Sequence, residues 1–336
     1  MNTDNDVINK AVSAIEAIVE LSHKIAVKGG ANSKKVVIDG VVFTALVEDE
    51  ITQTRKGLVM SRVSNVRYDS NDPFLVIAKY IPTTIAKELR QLKINYLDVS
   101  GNAYIQHLNF FIYIKGEKFV KPPMVNQTRA FQKAGLKMIF AFLLEPDCVN
   151  NTFRFIAEST GVSLASVGYV MKELESLNYV LETKNKRVLK NKVELLNRWI
   201  VAYHDVLRPS LVKKRMKFTS IESNNQWRNL PLKEVDDLTL WGGEPAAALV
   251  TGYLTPALYT IYTNSSWQHL AKELRLIPDD NGDVEILGFF GNIEENNKEM
   301  SIVPYLLVYA DLIGSGNERN IETAKRIFDE KLQYIK

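Results

Sequence analysis

A chain of 336 residues with 46% hydrophobic and 24% charged residues has the make-up of a folded protein and is long for one core, so two or three domains are expected. A net charge of +3 does not by itself point to nucleic acid; the placement of the charge decides. With Cys148 as the single cysteine, an intramolecular disulfide and a cysteine-built zinc site are excluded, and His23, His107, His204 and His269, scattered without ligand spacing, argue against a histidine metal site. No metal and no cofactor are expected. The acidic, polar start and the charges at Glu16, Glu20 and Lys24 argue against a signal peptide or membrane span, so the expected location is cytoplasmic.

The opening segment places Val7, Ala11, Ala14, Ile15, Ile18 and Val19 three and four residues apart, which predicts a helix with one apolar face. Runs at 35–47, 58–66 and 74–80 are dense in Val, Ile and Phe and are separated by turn residues, so they read as strands. Pro82 then opens a helix through Lys93, at a position where its missing N–H costs nothing. Short strands are expected at 95–98, 103–106 and 109–115. Residues 1–121 therefore read as a mixed α/β domain, closed by a linker at Lys121, Pro122 and Pro123.

Within that domain Asp98 ends one strand and Lys115 ends another, after a turn through Gly101 and Asn102. The layout resembles the restriction-endonuclease-like PD-(D/E)XK fold, whose aspartate and D/E-x-K hold a divalent metal. Where that family has its second acid this sequence has Tyr113, which implies an inactive relative. Asp98 and Lys115 are catalytic candidates only if the domain is a nuclease.

Residues 125–212 read as a winged helix-turn-helix. An apolar helix over 135–144 is stopped by Pro146. Ala157, Gly161, Val167 and Val170, with Ile156 and Val162, give the small crossing residue, the turn residue and the apolar anchors that such a motif needs. Ser163 is placed to cap a recognition helix over 164–177. That helix turns Ala165, Ser166, Gly168, Tyr169 and Lys172 outward, with no Arg or Asn for bidentate base contacts. Strands at 179–181 and 188–189 flank a basic wing tip of Lys184, Asn185, Lys186 and Arg187. Lys190, Lys192, Arg198, Arg208, Lys213, Lys214, Arg215 and Lys217 extend the positive charge into an expected phosphate-binding face. The expected DNA contacts are Ser163, Ala165, Ser166, Tyr169, Lys172, Lys184, Lys186, Arg187 and Lys190.

Residues 217–336 read as a further α/β domain, with strands at 258–262, 284–290 and 305–309 and helices at 244–254, 267–274 and 321–332. A strand end at 308–312 leads into a loop where Asp311, Arg319 and Glu322, with Glu244 nearby, are expected to form a charged cluster of structural kind. The stretches W-G-G-E-P-A-A-A-L (241–249), L-T-P-A-L-Y-T-I-Y-T (254–263) and Y-A-D-L-I-G-S-G-N-E-R-N-I-E-T-A (309–324) occur in that order. Together with the winged helix they resemble the AbiEi-type antitoxin and transcriptional-regulator family of type IV toxin-antitoxin systems.

That resemblance implies a winged helix on operator DNA, repression of the protein's own operon, and a C-terminal domain that counters a nucleotidyltransferase toxin. The fold expected overall is α+β and multidomain. The partners expected are double-stranded DNA, a nucleotidyltransferase toxin and a second copy in a homodimer, with no membrane. Two other readings stand beside the regulator: a metal-dependent nuclease delivered to DNA by its winged helix, and a protein-interaction module whose DNA affinity would be weak and insensitive to salt.

Overall fold

The computed structural model describes residues 3–18, 26–30, 33–66, 73–108, 110–116, 128–184, 186–220, 225–291 and 295–336. Val19, His23, the 121–123 linker and Asn185 lie outside them. The chain divides into two units, Met1–Val125 and Asn126–Lys336, the second holding both the helix-turn-helix segment and the C-terminal sheet. The architecture is mixed α/β. Among the described residues no helix is long and apolar enough to cross a membrane.

In the first unit the elements run α1 (Thr3–Ile18), β1 (Ala26–Gly30), β2 (Ser33–Ile38), β3 (Val41–Glu50), α2 (Gln53–Val66), β4 (Phe74–Tyr80), α3 (Thr83–Gln91), β5 (Tyr96–Asp98), β6 (Ala103–His107) and β7 (Phe110–Ile114). The seven strands form one sheet in sequence order. Parallel pairing joins β3 to β4 and β4 to β5, as the crossovers through α2 and α3 require, and the remaining pairs are antiparallel. The apolar stripe of α1, Val7, Ile8, Ala11 and Ile15, packs on Phe43, Leu75, Ile77, Leu97, Ile105 and Ile112. Because strand side chains alternate, Tyr96, Tyr104, Phe111 and Tyr113 stand on the opposite face.

The expected strand over 58–66 is a helix. Leu58, Val59, Met60 and Val63 are buried, but so are the polar Thr54, Lys56 and Ser61, and Lys56 pairs with Glu88 of α3. Three consecutive apolar residues imitate a buried strand, and short apolar runs do not separate the two states.

The second unit opens with α4 (Lys133–Leu144), α5 (Phe153–Thr160), α6 (Leu164–Ser176), β8 (Val180–Glu182) and β9 (Arg187–Leu189). From there α7 (Lys192–Ala202) runs through one π-helical turn, Tyr203–Leu207, into α8 (Arg208–Leu211). Then come β10 (Val212–Phe218), α9 (Leu232–Val235), β11 (Leu240–Gly242), α10 (Gly243–Thr251), β12 (Tyr259–Thr263), α11 (Trp267–Glu273), β13 (Leu276–Pro278), β14 (Val284–Gly288), α12 (Glu295–Glu299), α13 (Tyr305–Gly314) and α14 (Glu318–Lys331). The five-stranded sheet has the order β11-β12-β14-β10-β13, and β8 pairs with β9 alone.

The strands expected at 305–309 and 308–312 are both α13. Leu306, Leu307, Val308, Ala310, Leu312 and Ile313 are all buried, and a helix that is apolar all round shows no amphipathic period to read. Trp199 joins the two halves of this unit. Its ring stacks on Tyr203 and on Phe140, Phe140 meets Phe290 beyond β14, and the indole N–H donates to the Leu136 carbonyl at 2.8 Å.

Candidate nucleic-acid interface

The segment expected to be a helix-turn-helix folds as α5, a turn at Gly161 and α6, and local rules build it. Thr152 caps α5 by accepting from the Phe155 amide, and Gly161 ends the helix at φ +64°, a conformation that a Cβ disfavours. Ser163 Oγ accepts from the Ser166 amide at 3.2 Å and starts α6. Val167, Val170, Met171 and Leu174 are the buried face of α6, which leaves Ala165, Tyr169 and Lys172 exposed and Ser166 half-exposed.

The β8–β9 hairpin is closed at its tip by Thr183. Its amide donates to the Lys186 carbonyl at 2.9 Å, and its hydroxyl oxygen accepts from the Lys186 amide at 3.1 Å. Lys184, Lys186 and Lys190 are exposed, and no carboxylate pairs with them among the described residues. Arg187 differs. Its amide donates to Asn150 Oδ1 at 2.7 Å and its guanidinium lies 5.1 Å from the Phe153 ring centre, so it braces the root of the wing.

Beyond the wing, most cations of the expected phosphate-binding face already have partners within the protein. Lys214 pairs with Asp280, Lys217 with Asp279, and Arg208 with Glu285 and Asp311, while Lys213 donates to the Thr263 and Ser265 carbonyls. Arg198 lies over Phe131 and donates to the Tyr179 hydroxyl. The partners of Arg208 and the three lysines come from 50 to 103 residues downstream, where reading local charge does not find them. A residue that sequence reasoning missed is Arg129, exposed on the turn Arg129–Phe131, with its guanidinium 4.8 Å from the Tyr169 ring centre. It extends the exposed cationic surface of α6.

In the C-terminal region the four acidic and basic candidates divide into separate places. Glu244, buried at the start of α10, accepts from the Ala257 amide at 2.7 Å, from Arg319 Nη2 at 3.0 Å and from Asn320 Nδ2 at 2.9 Å. Arg319 also donates to the Thr255 carbonyl at 3.1 Å. The three sequence stretches are thus clasped at one carboxylate. Glu322 lies apart, on the surface with Arg326 and Tyr253.

Asp311 is buried and is not a partner of Arg319. It accepts from Tyr262 at 2.9 Å, from Tyr203 at 3.2 Å and from Arg208 Nε at 3.3 Å, and the two tyrosine oxygens are 2.6 Å apart. Burial holds both phenols well above their usual range, so they remain donors. Burial works against the Arg208 charge, but Asp311 and Glu285 outweigh it and keep the guanidinium protonated. The π turn brings Tyr203, His204 and Arg208 to this place, and no sequence pattern marks such a turn. His204 Nε2 donates to the Ala310 carbonyl at 2.9 Å, and burial with Arg208 nearby lowers its pKa to about 3. The imidazole is neutral at physiological pH. The two phenols, Arg208 Nε and Nη2 and His204 Nε2 all meet acceptors, which suits a structural junction.

In the first unit, Asp98 likewise meets donors. Its carboxylate accepts from the Ser100 and Asn102 amides and from Asn102 Nδ2, at 2.9–3.0 Å. Burial raises its pKa against the pull of those bonds. Lys115 is exposed at the end of β7, and among the described residues no three His, Cys, Asp or Glu side chains gather as a metal site.

Residues 187–333 match the family model described as "Transcriptional regulator, AbiEi antitoxin, Type IV TA system". The match begins in the returning strand of the wing and takes in the whole five-stranded sheet. No curated protein and no solved structure matched the chain.

Proposed function

From the AbiEi antitoxin type of region that the chain carries at 187–333, we propose that this protein is a DNA-binding repressor of its own operon and the antitoxin of a nucleotidyltransferase toxin. The observation that carries the DNA reading is a capped recognition helix exposing Tyr169 and Lys172, beside a clasped wing whose Lys184, Lys186 and Lys190 have no carboxylate partner among the described residues. Ser163, Ala165 and Ser166 lie at the N-terminal end of that helix, where close backbone approach to phosphates is favourable. With no Arg or Asn on the outward face of α6, affinity rests mainly on phosphates, and base selection rests on Tyr169, Lys172 and the wing. A two-fold dimer on a palindromic site is the assembly that fits such a reader.

The test is binding to duplex DNA from the protein's own promoter across a salt series, comparing wild type with Lys172→Ala/Lys184→Ala/Lys186→Ala. Affinity should fall steeply with salt, and the log-log slope should shrink by roughly one for each phosphate that the variant no longer neutralises. Absent or salt-insensitive binding would overturn the DNA reading and favour a protein-interaction module. The antitoxin reading is tested separately, by whether co-expression restores growth to cells that express the neighbouring nucleotidyltransferase.

A further inference from the structure

Among the described residues, the face of the first sheet turned away from α1 leaves Phe111 and Tyr113 exposed beyond β5. There, between α3 and the β6–β7 hairpin, lies a cavity of about 850 Å³ whose walls include Lys87, Arg90, Lys115, Tyr96, Tyr113 and Asp98. Its electrostatics are one-sided. Among the described residues Asp98 is the single carboxylate in that wall, and both its oxygens accept from the turn at Ser100 and Asn102. Lys87 and Lys115 are exposed and have no carboxylate partner among the described residues. Arg90 is committed to Tyr113, donating to its hydroxyl with the guanidinium 4.8 Å from the ring centre. The aromatic rings that line the cavity are Tyr80, Tyr96 and the exposed Tyr113, and Tyr104 packs against the last two.

Uncompensated cations beside exposed aromatic faces select for a ligand that is anionic at one end and planar at the other. A carboxylate metabolite would use the cations and leave the rings idle, and a neutral aromatic would do the reverse. The volume falls within the range of small-molecule sites and exceeds what an inorganic anion fills. We infer that this cavity binds a nucleoside phosphate, with its phosphates on Lys87 and Lys115 and its base against Tyr113. A free nucleotide and the phosphorylated end of a single strand present the same chemistry. The site uses none of the winged-helix residues, so its fate is independent of the operator reading.

The experiment titrates the full-length protein carrying Lys184→Ala/Lys186→Ala, so that strand binding at the wing does not contribute. The probes are ATP and a fluorescent 5′-phosphorylated oligothymidylate, and inorganic phosphate serves as competitor. Saturable 1:1 binding is expected for at least one probe, weakened at least about tenfold by Lys87→Glu/Lys115→Glu and several-fold by Tyr113→Ala. Both lysines are exposed, so the thermal midpoint of the charge-reversed variant should not move. Binding of ATP assigns the free nucleotide, and binding of the oligonucleotide alone assigns the strand end. The inference is overturned if neither probe binds, or if charge reversal leaves affinity within about twofold. It is equally overturned if phosphate competes as well as ATP while Tyr113→Ala has no effect, because the site would then read charge alone.

Discussion

The rings of Trp199 and Tyr203 lie face to face, with centroids 4.9 Å apart and planes 11° from parallel, and the Tyr203 hydroxyl reaches the buried carboxylate of Asp311. One side of this pair packs on the helices under the wing and the other on the C-terminal sheet. Trp199→Ala should therefore cost about 3–5 kcal/mol, the range for emptying a buried aromatic site. Urea unfolding followed by the fluorescence of Trp227, Trp241 and Trp267, all in the C-terminal half, is the measurement. A decrease below about 1 kcal/mol would mean that the two halves do not depend on this stack.

His204 makes stability depend on pH. Its folded pKa, about 3, lies below the usual value of 6.5, so between those limits the unfolded chain binds a proton that the folded chain does not. Stability is then full above pH 6.5 and declines as pH falls toward 3, by at most about 1.4 kcal/mol per pH unit. His204→Gln should flatten that limb of a stability profile measured by urea unfolding. Gly314→Ala should act on the same residue by another route, since a methyl at Gly314 would collide with the His204 ring. An unaltered profile in His204→Gln would assign the acid sensitivity elsewhere.

Capping of α6 is separable from the proposed DNA binding. Ser163→Ala removes the acceptor for the Ser166 amide and should lower stability by about 1 kcal/mol, with Ser163→Asp restoring it. If Ser163 also touches phosphate, Ser163→Asp will regain stability and lose affinity, which thermal melting and a binding titration resolve on the same two variants.

The paired lysines of β10 should be silent on DNA. Lys214 and Lys217 face Asp280 and Asp279, and the bond from Lys217 lowers the Asp279 pKa. Lys214→Ala/Lys217→Ala should leave the salt slope of DNA binding unchanged, whereas removal of Lys172, Lys184 and Lys186 lowers it by roughly three. A slope that falls equally in both variants would show that the ion pairs open on the DNA.

How much of this is legible in the sequence depends on the range of the forces involved. The α5–α6 turn, the Ser163 cap and the wing can be read because Gly161, Ser163 and the β8–β9 alternation act within a few residues. Helices α2 and α13 cannot, because burial on several sides removes the period that separates helix from strand. The Glu244–Arg319 clasp is half legible: the residues stand out, but proximity in sequence groups Glu322 with them, and its carboxylate instead meets Arg326 and Tyr253. Nothing in the sequence singles out Tyr203 and Tyr262, and Arg208 reads only as part of a basic run, since their role depends on a carboxylate that arrives 49 to 108 residues later.

That separation also has a meaning in time. Glu244 precedes Arg319 by 75 residues, so at synthesis rates of roughly 5–20 residues per second the carboxylate waits some 4 to 15 seconds for its cation. During that interval the 255–258 turn has no anchor at its far side, while everything needed to form the wing has already left the ribosome. The nascent chain would therefore acquire its β8–β9 hairpin before its C-terminal fold is sealed.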